Sequence, residues 1–347
     1  LNEQHTKSGS NLQALNDKKL SIDRIRTFAL LTAILVMLAA QFVVSPHIVS
    51  SFATTYDYIL KLIMSVTSVG LMAVAATLVM ITGCIDLSVG STMTFAAIIS
   101  CSISTMPMYD NHPVGTILLA IVAPLAIGAL FGAINGFFIG KLKLNAFMTT
   151  MATMYVYQAV ALFYNGGSFE SGRSGDALYA FLGKADFLTI PVPIILLAVV
   201  FGIYAVILHR TVFGRKVYAI GGNPTAATFS GINFSKTILI VYTLTGLMAG
   251  LAGLFIASWT LSADMSVGLQ KEFDVISAVV LGGVALTGGV GTMTGTILGV
   301  LFMGCLEMFY IQFEIAPMVQ WIVQGSILLV IVYLNGVLER KKERRKG

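Results

Sequence analysis

The sequence predicts an all-α polytopic membrane protein, with about ten transmembrane helices, glycine-rich broken segments and a short helix outside the bilayer. Three observations predict it. Of 347 residues, 56% are hydrophobic and 11% charged. A soluble domain carries about 25% charge, so this chain could not coat a water-facing surface. Uncharged apolar runs of the roughly 20 residues that a spanning helix needs recur along its length. Between those runs, basic residues concentrate in alternate connections, as the positive-inside bias requires.

The polar, basic segment 1–26 does not read as a cleavable signal sequence, so none is expected there. The spans then read 27–44, 59–81, 89–106, 114–140, 146–164, 188–208, 236–258, 274–287, 292–311 and 317–336. The first is long enough to be a retained anchor, and the eighth is short and glycine-laden. With the N-terminus inside, all but Lys61, Arg173, Lys184 and Lys271 of the 21 basic residues fall on the inner side. Both termini are therefore expected in the cytoplasm, the second followed by a basic tail, 337–347. No stretch suits a separate soluble domain, so 27–336 reads as one transmembrane domain. The net charge of +5 is a topology signature. No basic stretch interleaves with aromatics, so nucleic acid is not an expected partner.

In the fourth span Gly128, Gly132, Gly136 and Gly140 recur every fourth residue, a face for close helix packing in lipid. "TGCIDLSVGS" (82–91) joins spans two and three. "LGGVALTGGVGTMTG" (281–295) joins spans eight and nine, with six glycines and no charge. Broken backbone at membrane depth is tolerated where it is buried in protein or lines a cavity. Asp86, Gly282, Gly283, Gly288 and Gly289 are thus gate candidates. The faint likeness of "VGSTMT" to "VGTMTG" also raises an internal repeat. For Asp86 the structural alternative is a helix cap. Glu307, an acid inside span nine, is a pathway candidate by the same default. Tyr155, Tyr157, Gln158 and Tyr164 in span five, and Gln320, Trp321 and Gln324 in span ten, offer aromatic faces and neutral hydrogen-bonders. Those suit a path for a sugar, and for any single residue they suit an interfacial belt or an interhelical bond.

Absences narrow the chemistry. There is no GxxxxGK[ST], HExxH or GxSxG, and Cys84, Cys101 and Cys305 have no metal or disulfide spacing. His5, His47, His112 and His209 lie in loops or at span ends, not in a buried proton relay. No catalytic residue, metal or cofactor is expected on this chain. "GGNPTAATFSG" (221–231) reads as a capped helix between two spans. Asn223 suits the N-cap, Pro224 the first helical position and Gly231 the left-handed residue past the end. Ala226, Ala227 and Phe229 would present a small apolar docking surface on the inner face, after the basic pair Arg215 and Lys216. The alternative is a helix lying on the headgroups.

Five segments in order, "TGCIDLSVGS", "KLKLNAFMTTMATM", "TVFGRKVYAIGGNPTAATFSGI", "EFDVISAVVLGGVALTGGVGT" and "PMVQWIVQG", resemble the permease subunits of bacterial ABC importers for simple sugars. The likeness covers about 65–335. It implies a ten-span fold, a second permease chain in a homo- or heterodimer, cytoplasmic ATPase subunits that carry ATP and magnesium, and a periplasmic sugar-binding protein. It makes the connection 209–235 the coupling segment and 223–231 the ATPase contact, in the bacterial inner membrane. The family usually has glycine at the position of Cys84 and often a basic residue at that of Thr228. The expected function is ATP-driven import of a monosaccharide or similar small neutral solute. A branched-chain amino-acid permease of the same superfamily and an ion-coupled secondary transporter are the alternatives. An intramembrane enzyme would need paired catalytic groups at one depth.

Overall fold

The computed structural model describes residues 27–45 and 51–343. The expected cytoplasmic segment 1–26 and the last residues of the basic tail, 344–347, lie outside them. The architecture is all-α, as hydrocarbon demands of a chain that must satisfy its own backbone polar groups. In order come α1 (Thr27–Val44), α2 (Phe52–Ser65), α3 (Thr67–Ile81), α4 (Val89–Ser104), α5 (Met108–Asn111), α6 (Pro113–Gly140) and α7 (Ala146–Asn165). Then follow α8 (Ala177–Lys184), α9 (Val192–Arg210), α10 (Val212–Gly222), α11 (Pro224–Phe229), α12 (Phe234–Thr260), α13 (Lys271–Leu281), α14 (Met293–Gln312) and α15 (Pro317–Glu343). Among the described residues four two-residue strands form antiparallel pairs, β1 (Glu170–Ser171) with β4 (Ser262–Ala263) and β2 (Asp186–Phe187) with β3 (Ile190–Pro191).

Each expected run contains a helix. Among the described residues α1, α6, α7, α9, α12 and α14 are individually long and apolar enough to cross a membrane, and the bent pair α2–α3 makes a seventh. The second span is not one straight helix. It begins at Phe52, behind a capping box of Ser51 and Thr54, and bends by 49° between Ser65 and Thr67. At the bend the Ser65 and Thr67 hydroxyls donate to the carbonyls of Leu62 and Ile63, both at 2.9 Å. Such back-bonding draws carbonyls away from the helical ladder and bends it.

Span eight is corrected. Its helix, α13, stops at Leu281 and not at 287. Eleven residues rise about 16 Å, half of a ~30 Å hydrocarbon core. The stop is local chemistry. Gly283 takes φ +93, its N–H donates to Val280 O at 2.9 Å, and Val284 N–H donates to Val279 O at 3.2 Å. This is a Schellman closure, after which the chain runs irregularly to Thr292.

The core centres on α3, buried along its whole length and flanked by α9, α12, α13 and α14. A helix apolar on every side belongs in the middle of a bundle. The periodic glycines of α6 face glycines of α12. A Cβ on Gly128 would come within 2.2 Å of Gly246 O, and one on Gly246 within 2.0 Å of Gly128 O. Backbone meets backbone there, as small-residue faces permit.

The long connection after α7 also holds a helix that the sequence reading leaves as loop. α8 is N-capped by Asp176, whose Oδ1 accepts from Tyr179 N–H at 2.9 Å. Its Gly183 lies against the backbone of Ser258 and Trp259. Tyr109 Oη donates to Asp176 Oδ2 at 2.6 Å, and the Arg173 guanidinium sits 3.4 Å over the Tyr109 ring.

Candidate functional site

Six-residue helices are unstable alone in water, so α11 depends on its ends and on one buried side chain. Asn223 Oδ1 accepts from Ala226 N–H at 2.9 Å, and Pro224 takes the first position. Gly231 has φ +82; its N–H donates to Thr228 O, and Ile232 N–H to Ala227 O, both at 3.0 Å. The expected apolar surface is corrected at Ala227. That residue is 5% exposed and packs into the main core, because the closure turns it inward with Ile232. Ala226 is exposed, and Phe229 projects at 88% exposure. A groove of about 820 Å³ beside α11 is lined by Phe229, Thr228 and Thr225 together with Lys143, Asn145 and Phe147.

The 209–235 connection contains a second helix, α10, that the sequence pattern does not announce. Thr211 caps it, Val217 and Ile220 face inward, and Arg215 and Lys216 face out. Its end is interlocked with both glycine-rich breaks. A Cβ on Gly221 would lie 1.7 Å from Ile81 O and 2.5 Å from Gly289 N. Gly289 N–H donates to Ile81 O at 2.8 Å, and Tyr218 Oη donates to Gly291 O at 2.7 Å. Gly288 and Gly289 have φ +87 and +71, and a Cβ on Gly288 would meet Gly83 at 2.7 Å. Of the gate candidates, Gly288 and Gly289 thus join α10 to the end of α3. Gly283 closes α13, and Gly282 seats α13 on Gly295 of α14.

Asp86 lies apart from that junction. Its Oδ1 accepts from Ser88 N–H at 2.9 Å and Ser88 Oγ at 2.7 Å. Ser88 Oγ accepts from Asn135 Nδ2 at 2.8 Å, and Asn135 Oδ1 from Tyr157 Oη at 3.2 Å. Tyr157 stacks on Phe131 at 3.9 Å. This buried chain ties α7 and α6 to the turn before α4, so the polar groups of Tyr157 and Asp86 serve packing here.

The other pathway candidates divide. Glu307, Gln320 and Gln324 meet at a cavity of about 140 Å³ between α13, α14 and α15. Tyr155 is 63% exposed on α7, Gln158 is half-buried, and neither reaches that cavity. The structure adds Lys271, Asp274 and Tyr310 to it. Lys271 Nζ lies 3.4 Å from Asp274 Oδ2, and Gln324 Nε2 donates to Asp274 Oδ1. Sequence reading missed Lys271 and Asp274, although an acid at the first position of span eight was a signal. The cavity sits at the start of α13 and the glycine junction beyond its end. Among the described residues no group of three or more His, Cys, Asp or Glu could hold a metal.

Comparison with known proteins bears on what such a molecule does. Residues 58–332 match the family model described as branched-chain amino acid transport system / permease component. The ribose import permease protein RbsC of Bacillus subtilis is 40% identical over 284 residues, 82% of this chain and 85% of that one. RbsC of Escherichia coli is 34% identical over 307 residues, covering 88% and 92%. The L-arabinose transport system permease protein AraH of Escherichia coli is 33% identical over 312 residues, covering 90% and 91%. No solved structure matches the chain. Matched over most of its length by the family model and by these relatives, the chain belongs to this family of multi-pass transport permeases.

Proposed function

We propose that this chain is the membrane-embedded subunit of an ATP-driven importer, carrying a monosaccharide or similar small neutral solute across the bacterial inner membrane. The observation that carries the reading is α11, a helix capped at both ends, exposed at Phe229, and linked through α10 to the glycine junction. Force applied to α11 would reach α3 and the loop after α13 through backbone contacts, without flexible side chains between. The relatives' names supply the solute class, ribose and arabinose. In this reading a cytoplasmic ATPase binds ATP and magnesium and docks at α11. A periplasmic sugar-binding protein delivers solute at the opposite face. A second permease chain completes the path, and both termini lie in the cytoplasm. The chain itself binds no cofactor and makes or breaks no covalent bond. Nucleotide and partners bias its conformational equilibrium.

The test is purification in mild detergent from the native host, repeated with 223–231 replaced by a Gly/Ser loop. A stoichiometric ATPase that is lost with the loop supports the reading. A chain that purifies without one, where a known importer stays assembled, overturns it. The printed family description keeps branched-chain amino acids as a second reading. Uptake of labelled ribose, arabinose and leucine by the same cells separates the two.

A further inference from the structure

We infer that the cavity between α13, α14 and α15 is a binding site for one small polyhydroxylated neutral solute in transit. The inference rests on the importer reading above and names a site within it. Size is the first argument. About 140 Å³ is several times the roughly 10–15 Å³ that one water needs on the same measure, which leaves room for a small solute. Chemistry is the second. Tyr310 is 8% exposed, lines the cavity, and its hydroxyl has no partner among the described residues. Buried hydroxyls are nearly always partnered, so this one points to a group that arrives. Glu307, also on the wall, accepts no hydrogen bond from the described residues, whereas Asp274 is already held by Lys271 and Gln324. The hydrogen-bonded pair is thus wall, while Glu307, which feels the Lys271 charge, and Tyr310 keep hydrogen-bonding capacity for a solute.

A carboxylate accepts from a sugar hydroxyl, and a phenol both donates and accepts. Trp321 offers an apolar face at the rim, complementary to the C–H face of a ring. Lys271 and Asp274 offset each other, so the wall holds no unpaired cation to draw an anionic solute and suits neutral hydroxyl groups.

The experiment uses the assembled importer, with its own binding protein and ATPase, in proteoliposomes. Uptake of D-ribose and of each monodeoxyribose is compared for the unaltered chain, Glu307→Gln and Tyr310→Phe. Because the binding protein is common to all three, any change in a ribose-to-deoxyribose ratio originates in the permease. Each variant is expected to lower ribose uptake on the order of tenfold. Each should also bring the ratio for one deoxy analogue toward unity, since a missing hydroxyl costs nothing once its partner is gone. ATPase content and melting temperature should be unchanged. Ribose uptake with all ratios equal to those of the unaltered chain overturns the site while leaving the importer intact. Sodium- or proton-dependent uptake abolished by Glu307→Gln also overturns it, by making the cavity a cation site. Failure of the unaltered chain to import any sugar that its own binding protein retains overturns the importer reading itself.

Discussion

At Gly231 the backbone requirement is unusually plain. Its φ of +82 costs an ordinary L-residue about 1–2 kcal/mol, and its N–H closes α11 on Thr228 O. Proline can meet neither demand, whereas asparagine tolerates the left-handed region. Gly231→Pro is therefore expected to open the end of α11, leave the membrane core folded and uncouple ATP hydrolysis from uptake. Gly231→Asn should remain close to the unaltered chain. Solute taken up per ATP hydrolysed is the measurement, and normal coupling in the proline variant would remove α11 from the drive. A second residue-scale prediction concerns pH. Burial alone would raise the Asp176 carboxyl. Hydrogen bonds from Tyr109 and from the Tyr179 and Leu178 amides, with the nearby Arg173 charge, outweigh it and hold the group below its ordinary value. A depressed carboxyl stabilises the fold fully above its ordinary pKa of about 3.9 and loses that contribution as pH falls through the lowered value. The same hydrogen bond, with Asp176 as acceptor, raises the half-buried Tyr109 phenol. Its contribution is complete below about 10 and is lost as pH rises through the raised value. Protease resistance of the α8 loop should thus be flat from about pH 5 to 9 and fall on either side. Asp176→Asn should be less resistant across that plateau, and a transition near neutrality would contradict the assignment.

Elements are where sequence and structure part. Both ends of α11 are legible because caps are local: Asn223, Pro224 and Gly231 act within a few residues. The glycine face of α6 is legible for the same reason, as a helical period. The bend at Val66 and the end of α13 are partly written, in hydroxyls and in Gly282–Gly283, but 59–81 and 274–287 read as continuous apolar runs because hydropathy does not register them. α10 is not legible because its apolar face is broken by Gly214 and its charges, and it is held by contacts from α3 and the loop after α13. The cavity was half legible. Glu307, Gln320 and Gln324 stand out within apolar spans, while Lys271 and Asp274 look like an ordinary loop boundary until α13 is placed between α14 and α15. The glycine junction makes its own prediction through two neighbours. Gly221→Ala puts a methyl 1.7 Å from Ile81 O, against backbone that cannot swing aside, whereas a Cβ on Gly222 meets nothing within 4 Å. The first substitution should destabilise the fold by the roughly 1–3 kcal/mol typical of overpacking and lower the melting temperature and uptake with it. The second should do little. Equal behaviour of the two would mean that α10 and α3 do not move as one.

For the whole molecule, the deciding property is which end faces which compartment. α11 and its groove lie beyond the C-terminal end of α13, and the polar cavity lies at its start, so one orientation settles both. On the proposed reading, the distribution of basic residues would put α11 inside, with the 209–235 connection, and the β2–β3 turn outside. Leu188 and Phe229 report the two faces well, being 80% and 88% exposed. Cys101 and Cys305 are buried, and Cys84, half-buried, lines the α11 groove. Cys84→Ala therefore gives a quiet background for single cysteines. In spheroplasts treated with a membrane-impermeant maleimide, Leu188→Cys is expected to label at once and Phe229→Cys only after lysis. The opposite pattern would turn the protein over, placing the polar cavity in the cytoplasm and α11 where no ATP is available to drive it. The import direction would then fail together with the assigned role of α11. Protection of both positions in spheroplasts would instead bury one of them against a partner, and repeating the labelling on the isolated chain would show which.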